Sequence, residues 1–76
     1  MNRKPTEDDI AIGRAIKRWR LFKGLTQMQL GDALGVEFQQ IQKYENGVNR
    51  VPAARLWRIS RIMGIRIDSF FGECHG

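Results

Sequence analysis

The chain has 76 residues, of which 42% are hydrophobic and 28% charged, and its formal net charge is +5 at pH 7. This length accommodates one small domain with one core and excludes two, and the absence of a long uninterrupted apolar run excludes a membrane-spanning protein. The basic balance favours anionic partners, nucleic acid first and a membrane surface second.

The termini and the single cysteine bear on location and metal binding. The basic residues 1–5 precede the acidic run 7–9 instead of an apolar segment, so the order of parts in a secretion signal is missing and a cytoplasmic location is expected. Cys74 is the only cysteine, which excludes an internal disulfide and a cysteine-based zinc site. With His75 it offers too few ligands for a metal, so we expect no metal or cofactor and an inert tail.

A capping box predicts the start of the first helix. Thr6 followed by Asp9 fits the pattern in which each side chain satisfies a backbone N–H at a helix N-terminus. Apolar residues then extend a helical pattern towards Phe22, and Gly24 ends the helix. The apolar positions of this pattern are Ile10, Ile12, Ile16 and Trp19.

A second capping box, Thr26 with Gln29, predicts a short helix that Gly35 ends. A helix of this length is unstable alone and must pack against its neighbours. Gly35 can take the left-handed conformation and turn the chain sharply, and Gly31 leaves room where two helices cross closely. The residues available for burial are Met28, Leu30, Ala33 and Leu34.

Two more helices and a final turn follow. The third helix is short and ends where Asn46 and Gly47 turn the chain. Pro52 can sit in the first turn of the fourth helix, where its missing N–H costs nothing, and Gly64 ends that helix. A last turn is expected over residues 68–71. The apolar markers are Phe38, Ile41 and Tyr44 in the third helix and Leu56, Ile59 and Met63 in the fourth.

The predicted fold class is all-α, because no run alternates in the manner of a strand. We expect a compact bundle of four to five helices. The predicted domain covers residues 9–72, after a partly disordered arm at residues 1–8 and before a short tail at residues 73–76.

A set of spaced residues resembles the helix-turn-helix of the Cro and phage-repressor type, also called the xenobiotic-response-element family. The resemblance spans about residues 12 to 72 and implies a lambda-repressor-like bundle. The residues that carry it are Ile12-Gly13, Arg20, Gly24-Leu25-Thr26-Gln27, Leu30-Gly31, Gly35-Val36, Ile41, Tyr44-Glu45-Asn46-Gly47, Pro52, Leu56, Ile59 and Gly64.

In the resembling proteins the second helix of the motif lies in the DNA major groove. The resemblance therefore implies a groove helix over roughly Phe38 to Glu45, with Ile41 and Tyr44 towards the core. Glutamine can pair with adenine and lysine can donate to guanine, although the glutamines are also ordinary solvent-facing residues. The outward side chains would be Phe38, Gln39, Gln40, Gln42 and Lys43, and the predicted base contacts are Phe38, Gln39, Gln40 and Lys43.

Phosphate contacts and a structural ion pair also follow from the resemblance. Gln27 resembles the family's phosphate-binding glutamine at the start of the first motif helix. Asn46 and Arg50 flank the loop after the groove helix and are the next candidates. Arg20 and Glu45 would form a partly buried ion pair between the first and third helices, with Arg20 only secondarily a phosphate contact.

Two residues depart from the family pattern. Glu37 precedes the groove helix where the family usually has Ser or Thr, so the cap is poorer and the carboxylate would approach phosphates unless it accepts from a cytosine amino group. Phe38 stands where a polar base reader is common, and it can touch a thymine methyl group or fold back onto the core. Both departures bear on the preferred DNA sequence more than on DNA binding.

The C-terminal region has more apolar bulk than one small core readily hides, although some of it is expected in the core, Phe70 or Phe71 especially. An exposed part of it would form a self-complementary patch, as similar repressors use, and would place two groove helices about 34 Å apart on a palindrome. We therefore expect a homodimer that is weak without DNA. The residues concerned are Trp57, Ile62, Ile67, Phe70 and Phe71, and the predicted interface is Trp57, Ile67, Phe70 and Phe71.

The predicted function is sequence-specific binding of double-stranded DNA by a bacterial or phage transcriptional regulator, with repression through occupation of a palindromic operator as the expected mode. No catalytic constellation is recognisable, so an enzyme is not expected. No small-molecule effector is evident from the sequence. The alternative is a protein-interaction module, such as an antitoxin or an adaptor that docks through the apolar C-terminal end. A membrane-surface segment is a third alternative, because Arg55, Arg58 and Arg61 line one side of the fourth helix, although a solvated face explains them as well.

Overall fold

Four α-helices and a closing 3₁₀ turn make up the computed structural model, which describes residues 4–72. No strand occurs among these residues, and the all-α fold class predicted from the spacing of apolar residues is confirmed. The helices are α1 (Glu7–Phe22), α2 (Gln27–Leu34), α3 (Phe38–Glu45) and α4 (Ala53–Met63), and the 3₁₀ turn covers Ile67–Phe71.

Both predicted capping boxes are present. At α1 the Thr6 hydroxyl accepts from the Asp9 N–H at 3.1 Å, and the Asp9 carboxylate accepts from the Thr6 N–H at 3.2 Å. The same exchange joins Thr26 and Gln29 at 3.0 and 2.9 Å at the start of α2. Glu37, before α3, makes no side-chain cap. The short helix α3 therefore depends on packing for its stability.

Two glycines form the corner between α2 and α3. Gly35 has a φ of 83° and its N–H donates to the Gly31 carbonyl, which ends α2 in the left-handed conformation that glycine adopts at little cost. A Cβ on Gly31 would lie 2.8 Å from the carbonyl oxygen of Val36. The predicted roles of both glycines are confirmed.

The core lies where all five elements meet. Helix α2 packs on α3 and α4, and α1 packs on α3 and on the 3₁₀ turn. Helix α3 is therefore held by α1 and α2 on one side, and its other side faces solvent. The buried apolar residues are Ala15, Ile16, Leu30, Leu34, Ile41, Tyr44, Leu56, Ile59, Met63 and Phe70.

The structure corrects the prediction in α2. Met28 and Ala33 are exposed instead of buried. The buried stripe of α2 consists of Leu30, Gly31 and Leu34, and at 3.6 residues per turn the other two positions lie roughly 100° or more from the centre of this stripe.

Two further corrections concern the C-terminal half. Pro52 is the N-cap residue just before α4 and not a member of its first turn. Phe70 is 0% exposed because the 3₁₀ turn places it in the core between α1 and α4. The expectation that Phe70 or Phe71 belongs to the core is confirmed for Phe70. The prediction that Phe70 also belongs to a dimer interface is wrong, since no part of its surface is available to a partner.

The predicted domain boundaries remain a prediction. Helix α1 begins at Glu7, inside the predicted N-terminal arm. The predicted tail at residues 73–76, with Cys74 and His75, lies outside the described residues. No helix within residues 4–72 combines the length and the apolar character that crossing a membrane requires.

Candidate nucleic-acid interface

Helix α3 separates polar and apolar side chains on opposite faces. Gln39, Gln42 and Lys43 are exposed to solvent. Ile41 and Tyr44 are buried, as predicted for the core side of the helix. Phe38 and Gln40 are half-buried, so less of each side chain faces solvent than the sequence suggested. The exposed face thus offers two amides and one ammonium group, which are suitable donors and acceptors for base edges.

Arg20 and Glu45 form a buried, bidentate ion pair. The Arg20 Nε lies 2.6 Å from Glu45 Oε2, and its Nη2 donates to Glu45 Oε1 at 3.1 Å. The Arg20 Nη1 donates to the carbonyl oxygen of Leu25 at 2.8 Å, so each guanidinium nitrogen has an acceptor. This pair joins α1 to α3 and to the loop before α2, and it fixes the position of α3 on the bundle.

Gln27 is attached to the same carboxylate. Its Nε2 donates to Glu45 Oε1 at 3.0 Å, which ties the first residue of α2 to the last residue of α3. A primary amide nitrogen carries two hydrogens, so one remains to donate outward beside the backbone N–H groups that the α2 N-terminus leaves without a partner inside the helix. Sequence reasoning missed this bond, because nothing in the chain pattern signals a contact between residues eighteen apart.

The loop after α3 carries the other predicted phosphate contacts. Asn46 is the exposed C-cap residue of α3. Arg50 Nε donates to Asp9 Oδ1 at 3.1 Å, and the Arg50 side chain remains 64% exposed. Asp9 thus serves both the α1 capping box and Arg50, and it anchors a side chain that remains largely in solvent.

The predicted dimer residues divide into exposed and covered positions. Trp57 is 51% exposed and Phe71 is 40% exposed, whereas Ile67 is half-buried against the core. A second apolar area at the end of α1 was missed: Leu21 is 59% exposed and Phe22 is 77% exposed. The buried residues of α1 recur every three or four positions up to Arg20, and Leu21 and Phe22 both lie outside this pattern. The helical periodicity of the sequence could therefore have indicated that these two residues are exposed.

Side chains that could bind a metal ion are not grouped into a candidate site among the residues that the structure describes. Across residues 4–72, no group of three or more His, Cys, Asp or Glu side chains is placed to hold a metal ion. The candidate site residues offer exposed amide and cationic side chains beside the corner between α2 and α3.

Comparison with known proteins identifies the family to which the chain belongs. The family model described as helix-turn-helix matches residues 16–70, so the chain belongs to the helix-turn-helix family. An uncharacterised HTH-type transcriptional regulator of Sinorhizobium medicae is 46% identical over 74 residues, which are 97% of this chain and 53% of that protein. The chain thus spans about half the length of this curated relative.

Two solved structures share the fold at lower sequence identity. The restriction-modification controller protein C.AhdI from Aeromonas hydrophila superposes with a TM-score of 0.82 at 21% identity, covering 87% of this chain and 100% of that one. The clp gene regulator ClgR from Corynebacterium glutamicum gives a TM-score of 0.82 at 24% identity, covering 90% of this chain and 87% of that one. The lambda-repressor-like helical bundle expected from the sequence is thereby confirmed as a fold that occurs in solved structures.

Proposed function

We propose that this domain binds double-stranded DNA sequence-specifically as part of a bacterial transcriptional regulator. The observation that best supports the proposal is α3, which is buried through Ile41, Tyr44 and Glu45 and presents Gln39 and Lys43 to solvent. The regulator names of the relatives agree with it. In this proposal the domain acts in the cytoplasm and is a binding module instead of an enzyme. It represses transcription by occupying an operator.

Base reading is assigned to the exposed face of α3. Gln39 is suited to pair with adenine N6 and N7, and Lys43 is suited to donate to guanine O6 or N7. The half-buried Phe38 and Gln40 would contact the edges of the reading surface, with Phe38 against a thymine methyl group. Two bidentate or directional contacts of this kind are enough to prefer one half-site over its variants.

Backbone positioning is assigned to three residues around α3. Gln27 is oriented by Glu45, and its second amide hydrogen would donate to a phosphate beside the α2 N-terminus. Arg50, anchored by Asp9, and the exposed Asn46 would hold a second phosphate stretch. Such contacts fix register on the duplex and carry no sequence information.

We further propose a homodimer on a palindromic operator. Of the predicted interface residues, the exposed ring of Phe71 and the half-buried Ile67 are assigned to this two-fold contact, and the exposed ring of Trp57 is left outside it. Since two-fold symmetry in the protein matches a palindrome in the DNA, the groove helices of the pair would lie about 34 Å apart.

Selection of bound duplexes from random DNA tests the proposed function. The expected result is enrichment of a palindromic sequence with two half-sites about one helical turn apart. The matched control is the Gln39→Ala, Lys43→Ala double variant, which should enrich no palindrome or a more degenerate one. Enrichment of the same sequence by both proteins, or of no sequence by either, would contradict the assignment of α3.

A further inference from the structure

The solvent side of α4 carries a cluster that the proposed DNA contact does not use. The guanidinium group of Arg61 lies 4.8 Å above the ring of Trp57. Together with Arg58 and Ile62, these residues line a shallow depression of about 450 Å³, here termed the α4 hollow. We propose that the α4 hollow docks an acidic polypeptide segment that carries apolar side chains.

The charge of the hollow selects for an anionic occupant. Helix α4 contains no acidic residue. Arg20, Arg50 and Arg66 each form an ion pair, whereas Arg58 and Arg61 have no carboxylate within salt-bridge distance among residues 4–72. Two unneutralised cations beside one depression favour carboxylates on a partner and speed its encounter.

The apolar part of the hollow favours a polypeptide over a nucleic acid. Trp57 is half-exposed and Ile62 partly so, and both border the depression. Tryptophan and arginine are among the residue types most often found at the energetic centre of protein interfaces. A phosphate backbone would use the arginines and leave the tryptophan and isoleucine surface uncovered, whereas leucine or phenylalanine flanked by glutamates fills both parts.

A second copy of the chain fits the hollow poorly. Across a two-fold axis the same patch meets itself, which would set Arg58 and Arg61 against their own counterparts with no acidic residue of α4 to separate them. Like charges opposed in an interface are unfavourable. The homodimer contact proposed above is therefore made by Phe71 and Ile67, and the hollow remains available to another partner.

The hollow is also separate from the proposed reading surface. Helix α4 packs on α2 and on the 3₁₀ turn, whereas α3 packs on α1 and α2. A hydrogen bond joins α4 to α3 from Arg55 to the hydroxyl of Tyr44 at 2.7 Å, and it does not involve the residues of the hollow. A docked segment is therefore expected to bind together with DNA.

Fluorescence polarisation with a designed peptide tests the proposal. The probe is a short fluorescein-labelled peptide in which glutamates flank leucine and phenylalanine, titrated with the 76-residue chain. We expect saturable binding that weakens with added salt and falls about tenfold or more in the Arg58→Ala, Arg61→Ala variant and in Trp57→Ala. All three side chains border the hollow and lie outside the buried core, so the variants should remain folded.

Matched controls distinguish binding in the hollow from a general attraction by the net charge of the chain. The Arg14→Ala, Lys17→Ala variant removes the same charge from exposed positions of α1 and should bind the peptide within about twofold of the unmodified chain. A peptide with glutamine in place of glutamate, and one with serine in place of the apolar residues, should each bind more weakly. Equal binding of either peptide, or equal loss in the α1 variant, would overturn the proposal.

Two further measurements address the other occupants. Displacement of the peptide by a duplex of unrelated sequence would assign the hollow to nucleic acid and overturn the inference. Loss of self-association in the Arg58→Ala, Arg61→Ala variant during sedimentation would assign it to a second copy, with the same consequence. Because neither readout uses operator recognition, the proposed DNA function can fail without affecting this result, and the reverse also holds.

Discussion

At the scale of single residues, base readers and phosphate contacts should respond differently to removal. Gln39→Ala and Lys43→Ala should reduce discrimination between operator variants by roughly 1–3 kcal/mol per contact. Gln27→Ala and Arg50→Ala should weaken binding to all sequences alike, because phosphates are the same at every step. Gel-shift titrations against an operator and its point variants measure both effects.

The control for this experiment lies on the same helix. Gln42→Ala removes another exposed amide from α3 and is expected to change discrimination little, because Gln42 is not among the predicted base contacts. Unchanged discrimination in both the Gln39 and Lys43 variants would show that another element reads the DNA.

The Arg20–Glu45 pair supports a prediction about stability. Glu45→Ala leaves the buried Arg20 without its carboxylate, so the free energy of unfolding should fall by on the order of 3 kcal/mol. The double variant Arg20→Met, Glu45→Leu should recover much of this loss, because it removes both buried charges together. Urea denaturation measures the difference.

An exposed pair provides the comparison for that prediction. Arg66 and Asp68 are bonded at 3.0 Å, but both side chains are largely in solvent, so Asp68→Ala should cost less than about 1 kcal/mol. Equal destabilisation by Glu45→Ala and Asp68→Ala would mean that burial of the Arg20 pair contributes nothing to the fold.

At the scale of elements, the crossing of α1 and α3 depends on Gly13. A Cβ there would lie 2.3 Å from the Tyr44 carbonyl oxygen and 2.7 Å from that of Glu45, so the helix backbones would have to separate. Gly13→Ala should therefore lower the free energy of unfolding by about 3 kcal/mol or more and weaken DNA binding, because α3 moves. Thermal and urea denaturation test the first effect.

Gly24 is the matched control for that crossing. It has a φ of 72°, and a Cβ added there would meet no neighbouring atom within 4 Å, so Gly24→Ala carries only the left-handed backbone cost of about 1–2 kcal/mol. Similar losses from the two substitutions would indicate that α1 and α3 adjust freely at their contact.

The helices were predictable from sequence because their signals are local. The capping boxes at Thr6 and Thr26 and the turn at Gly35 each depend on residues a few positions apart. Burial of Phe70 and exposure of Met28 depend on which elements meet in space, and no local pattern decides that. The hydrogen bond from Gln27 to Glu45 likewise depends on the tertiary fold. The sequence could therefore indicate which residues belong to the candidate site, but not which hydrogen bonds join them.

At the scale of the whole molecule, the proposed two-fold pair makes a geometric prediction about the operator. Two copies bound to half-sites one helical turn apart lie on the same face of the duplex and can touch. Inserting half a turn, about five base pairs, between the half-sites should rotate the copies apart and abolish cooperative binding.

Phe71→Ser should lose the cooperativity in the same way and keep the affinity for one half-site, because Phe71 is 40% exposed and remote in sequence from α3. Phe22→Ser, which alters a ring that is 77% exposed at the end of α1, should leave cooperativity intact. Sedimentation on fluorescent duplexes measures stoichiometry and cooperativity together. A single bound copy on the intact palindrome, or cooperativity that survives both the insertion and the Phe71 substitution, would rule out the two-fold contact.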